Sequence, residues 1–115
     1  MTFHPRLTLD QWAALPREKK ILNVVSELAR AKHWAQKGDA RLADESLERA
    51  LELIDLTVEA EAKQKSASVL REWLRSREML AALYAAPLKS PDELVLLSKN
   101  ILDFDAAVHN LQIEI

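Results

Sequence analysis

Trp34-Ala35-Gln36-Lys37-Gly38-Asp39-Ala40-Arg41-Leu42-Ala43 contains the one glycine among 115 residues, and the architecture turns on it. Glycine accepts the left-handed conformation that closes a helix at its C′ position, and aspartate is a good N-cap for a helix that follows. On the N-terminal side, Ile21, Val24, Val25, Leu28, Ala31 and Ala35 recur at helical spacing, with Trp34 on or beside the stripe. On the C-terminal side, Ala43, Leu47, Ala50, Leu51, Ile54 and Val58 do the same, widened by Leu53 and Leu56. Two amphipathic helices joined by so short a link fold back antiparallel.

The rest of the chain repeats this logic with different punctuation. Thr8 and Gln11 form a capping box for a short lead-in helix over 8–15, which Pro16 interrupts. The first long helix then covers about 17–37 and the second about 40–63. Ser66 or Ser68 can cap a third over 67–86, although Ala, Lys, Gln and Glu in this region also allow one bent helix to run through 60–70. Pro87 stops the third helix. Ser90-Pro91-Asp92-Glu93 then places a cap, an N1 proline and first-turn acids in order. Leu94, Leu97, Ile101, Phe104 and Val108 carry the fourth helix to about 110, and Leu111 to Ile115 alternate apolar and polar. The expected fold is all-α: one domain, an up-down-up-down four-helix bundle with a short lead-in helix. No internal repeat is present, so the helical pair over 21–60 is not a unit of a solenoid.

Composition and charge narrow the function. The chain has 49% hydrophobic residues, 30% charged residues and no cysteine. Disulfides, thiol nucleophiles and cysteine-ligated metals are therefore excluded, and the cytoplasm is the natural compartment. The longest apolar run, Met79 to Leu88, is half of the roughly 20 residues that span a bilayer. The start, Met1 to Arg6, lacks a basic segment followed by an apolar one, so no secretory leader is expected. The net charge of −2 weighs against a broad nucleic-acid-binding face. Taken by stretch, the balance is +4 over 1–37, −4 over 38–65, +2 over 66–89 and −4 over 90–115. Antiparallel neighbours in sequence order would thus carry opposite signs.

Catalytic chemistry finds little support. Glu-x-x-His, the pairing a carboxylate-bridged metal site in a bundle requires, is absent: Arg30 precedes His33 by three residues and Ala106 precedes His109. Asp105 and His109 are four apart, with Asp103 nearby, and would suit an acid/base pair, a metal site or a plain helix-end ion pair. His33 beside Trp34 reads as a helix-end group. Gly-rich phosphate loops and nucleophile elbows are missing, so no catalytic residue, cofactor or metal is expected.

Three surface patterns remain. Glu48, Glu52, Asp55 and Glu59 lie along one face of the second long helix, where they could take a basic partner, a cation, or Arg71 and Arg75 from the next helix. Arg71, Arg75 and Arg77 flank Trp73, but Glu72 and Glu78 interleave and weaken any nucleic-acid reading. The segment Met79-Leu80-Ala81-Ala82-Leu83-Tyr84-Ala85-Ala86 is apolar right round the helix, and so needs cover on two faces. The lead-in helix with Trp12 and Leu15 is one candidate cover, and a second subunit is another. Met79, Ala82, Leu83, Ala85, Ala86 and Leu88 are accordingly the candidate interface. The expectation is a small helical interaction or assembly module that binds itself, as a homodimer, or another protein. The alternative is a small-molecule or nucleotide-binding accessory domain in which Tyr84 and Arg75 converge on an apolar cavity.

Overall fold

A computed structural model of the chain describes residues 8–64 and 67–104. It is all-α: α1 (Leu9–Ala13), α2 (Arg17–Gln36), α3 (Ala40–Gln64), α4 (Ala67–Ala85) and α5 (Pro91–Leu102). The four longer helices form an up-down-up-down bundle in sequence order, with α5 closing against α2, and α1 packs on α3.

The helix ends follow from local hydrogen bonding. The Thr8 hydroxyl accepts from the Gln11 amide while the Gln11 side chain accepts from the Thr8 amide, a complete capping box. Gly38 has φ +77°, its amide donates to the Ala35 carbonyl and that of Asp39 to the Trp34 carbonyl. This is a Schellman closure, followed at once by the Asp39 carboxylate accepting from the Leu42 amide at 3.0 Å. The Ser90 hydroxyl caps α5 by accepting from the Glu93 amide.

The structure differs from expectation at the last helix, which stops at Leu102 with Asp103 as its C-cap. Residues 105–110, assigned to that helix by periodicity, lie outside the described residues, as do Val108, His109 and the alternating tail. Phe104 instead turns edge-on to Trp73, with ring centroids 5.1 Å apart. An aromatic pair of this geometry adds about 0.5–1.5 kcal/mol beyond the area it buries.

The core takes the apolar stripe of each helix. Ile21, Val24, Val25, Leu28 and Ala31 of α2 meet Leu47, Ala50 and Ile54 of α3, Trp73 and Leu80 of α4, and Leu94, Leu97 and Ile101 of α5, all of them buried. Each large side chain withdrawn in this way contributes about 1.5–3 kcal/mol. The pairing between helices is antiparallel and in register: Arg77–Asp55 and Tyr84–Glu48 join α4 to α3, and both pairs are centred on the α3–α4 link.

One ion pair cuts across the gross charge order. Glu27, on the stretch with net positive charge, is the buried member of the α2–α3 seam, accepting from Arg49 Nε of the acidic stretch at 3.1 Å and from Arg30 at 2.7 Å. Net charge averages over all faces of a helix, whereas a seam samples only one.

Candidate functional site

The face of α4 that turns toward α5 is set by helical spacing. Leu80 and Leu83 point into the core, Tyr84 and Arg77 turn to α3, and Met79 and Ala82 are left on the α5 side. From α5, Leu94, Leu97, Ser98, Ile101 and Leu102 are buried, and Leu96 faces away from them with 57% of its surface exposed. Between the two helices lies an apolar groove of about 290 Å³, lined by Met79, Ala82, Leu83, Leu96 and Glu93. A second, more polar groove of about 580 Å³ opens farther along the same pair, where Glu72, Arg75, Asn100 and Asp103 surround Val69, Met79 and Phe104.

The residues expected at an interface are dispersed over this region rather than gathered on one plane. Met79 and Ala86 are half-buried, Leu83 is buried, and Ala82 and Ala85 are exposed. Leu88 stands on the α4–α5 link at 86% exposure. The proposed internal cover, the lead-in helix, is seated elsewhere: Trp12 packs on α3, where its indole Nε1 donates to Thr57 Oγ1 at 2.8 Å. A hydroxyl at Thr57 satisfies the buried indole N–H, which the alanines of α4 cannot do. Leu96 was not singled out by its stripe. Its signal was available, as an apolar residue opposite Leu94, Leu97 and Ile101 on an otherwise polar face: Asp92, Glu93, Lys99 and Asn100 beside it are all exposed.

The acidic stripe faces α4 in part. Glu48 Oε1 accepts from the Tyr84 hydroxyl at 2.5 Å, and Asp55 Oδ1 accepts from Arg77 Nε at 2.5 Å. Glu52, half-buried between them, is engaged as well, and Glu59 is exposed. The internal counterpart is thus Arg77, the arginine on the α3 side of α4, while Arg71 and Arg75 lie exposed on other faces. The hydrogen bond to Glu48, followed by burial and the charges of Glu48 and Asp44, holds the Tyr84 hydroxyl above its ordinary pKa. Asp55, by hydrogen bond and then by charge, likewise raises Arg77.

Lys89 completes this side. Its ammonium donates to the carbonyls of Tyr84 and Ala86, lies 3.3 Å from Asp44 Oδ1 and sits 5.5 Å from the Tyr84 ring centroid. It therefore satisfies carbonyls at the end of α4 that have no helical partner and neutralises a buried carboxylate oxygen.

Other candidates do not assemble. Tyr84 and Arg75 stand on different sides of α4, one at Glu48 and the other in the larger groove, so they do not converge on one cavity. His33 stacks edge-on against Trp34 at 4.8 Å near the end of α2. Among the described residues, no three His, Cys, Asp or Glu side chains come together in a way that could hold a metal ion. Asp105 and His109 lie outside the described residues. None of the described helices is long and apolar enough to cross a membrane. No family model matches the chain, and no curated protein or solved structure matches it either, so the reading of function rests on its own geometry.

Proposed function

We propose that this chain is a cytoplasmic helical interaction module whose work is contact with another polypeptide through the outer side of α4 and α5, with no catalytic step and no cofactor. One observation carries this reading: Leu96, more than half exposed, stands beside an apolar groove formed by Met79, Ala82 and Leu83. A leucine held out on a rigid helix next to an open apolar slot gains by being covered, and such patches on small domains mark protein contacts.

The small-molecule reading is supported by the larger groove, where Arg75 and Asn100 offer donors over Val69 and Phe104. Its mixed acidic and basic rim selects no ligand charge, so the contact reading ranks above it. A photo-crosslinking residue in place of Leu96, in the cells that make the protein, tests the contact reading. A discrete protein adduct at position 96, absent when the same probe replaces exposed Gln36, is the expected result. No adduct at 96 in any growth condition would overturn it.

A further inference from the structure

We infer that the partner on this face is a second copy of the same chain, related by a twofold axis beside Leu96 so that the two α5 helices run antiparallel. This rests on the reading that α4 and α5 form the contact surface, and adds the identity and register of what covers it.

The outer face of α5 is its own complement under that symmetry. Asp92 and Glu93 lie four and three residues before Leu96, Lys99 and Asn100 lie three and four after it, and all five are exposed. Residues three and four apart share a helix face. Asp92 and Lys99, seven residues apart, fall on one side of Leu96 and Glu93 and Asn100 on the other, so when two copies of this face meet antiparallel at Leu96, Asp92 of each copy comes opposite Lys99 of the second copy, and symmetry makes the pair twice. A parallel arrangement would set Asp92 of each copy beside Glu93 of the other, acid against acid, with only Asn100 beside Lys99, and so disfavours itself. The apolar features follow the same rule. Each copy offers one knob, Leu96, directly beside one slot, and the slot is floored by Ala82, whose side chain ends at Cβ and permits close approach. A knob and a slot side by side on one surface are what an isologous contact consumes in equal numbers.

Size sets the strength. α4, at 19 residues, is about 28 Å long and α5, at 12, about 18 Å, so with each helix about 10 Å wide the face is roughly 460 Å² per copy. That is well below the ~800 Å² per partner of a standard stable interface, and suits a weak dimer that dissociates on dilution.

The test is sedimentation equilibrium on the full chain and on Asp92→Lys, Lys99→Glu, the two together, and Leu96→Glu, with circular dichroism to verify that each is folded. Each single reversal turns two rim attractions into two repulsions, and is expected to weaken dimerisation about ten-fold. The double reversal restores both pairs and is expected within about two-fold of the original chain. Leu96→Glu is expected to be monomeric. Single and double variants that dimerise alike, or a double variant weaker than either single, would overturn the antiparallel register. An original chain that stays monomeric at several hundred micromolar would overturn self-association. In that case a crosslinked adduct at position 96 with a different protein would leave the contact reading standing, and the absence of any adduct would remove both.

Discussion

Trp12 and Thr57 are 45 residues apart in sequence, and the hydrogen bond between them is the polar fastening that joins α1 to α3. The Thr57 hydroxyl is used twice, accepting from the indole and donating to the Leu53 carbonyl at 2.8 Å. Both side chains are buried. Thr57→Val preserves the shape but leaves the indole N–H without a partner, and is expected to cost about 1–3 kcal/mol in urea denaturation. Trp12→Phe combined with Thr57→Val should then cost less than the two single changes added together, because the orphaned donor is gone. A strictly additive pair would show that the hydrogen bond contributes nothing.

Tyr84 is the sole tyrosine, so its ionisation can be followed by ultraviolet absorbance without interference from another phenol. The native hydroxyl titrates above the ordinary value of 10.0 because it donates to Glu48. Glu48→Gln should bring the midpoint back toward that value. The sign for stability follows: with the folded pKa raised, the contribution of this hydrogen bond is fully present below pH 10 and is lost as pH rises through the folded pKa. An unchanged midpoint in Glu48→Gln would refute the assignment.

Glu27 anchors the α2–α3 seam, with its side chain 8% exposed between Arg49 and Arg30. Glu27→Ala is expected to cost about 1.5–3 kcal/mol, since its charged hydrogen bonds to Arg49 and Arg30 are lost from a part-buried seam. Arg30 is 57% exposed, so Arg30→Ala should fall within about 1 kcal/mol of the original chain. Thermal or urea unfolding ranks the two, and the reverse order would contradict this account of the seam.

Gly38 occupies a left-handed conformation with nothing within 4 Å of where a Cβ would stand. Gly38→Ala therefore meets no clash and bears only the backbone cost, about 1–2 kcal/mol. Gly38→Asn should lose less, because asparagine tolerates this conformation better. Equal losses for the two would point to something other than backbone conformation.

Helix ends were legible in the sequence wherever their chemistry is local. Thr8 with Gln11, Gly38 with Asp39, and Ser90 with Pro91 each act on a neighbour within a few residues, and the core stripes of α2 and α3 follow from spacing alone. Partner choice was less legible. Trp12 would fit any apolar slot, and what distinguishes α3 is a hydroxyl 45 residues away. Arg77 rather than Arg71 or Arg75 meets the acidic stripe because it alone of the three lies on the α3 side of α4, a matter of helix rotation that composition does not report. Among the described residues α5 ends at Leu102, although Phe104 continues the spacing of Leu97 and Ile101, and the expected end near 110 lies outside them. Leu96 drew no attention because a search for stripes passes over the lone apolar residue behind one.

The seating of Lys89 has a practical consequence for handling the protein. Its side chain is only 10% exposed, and its ammonium is committed to two carbonyls and Asp44. Trypsin must draw a lysine and its flanking backbone into an extended, accessible form, which Lys89 can reach only when the end of α4 comes away from α3. Scission of the Lys89–Ser90 bond in a native digest thus serves as a clock for that opening, while cuts after exposed residues such as Lys99 report only local fraying.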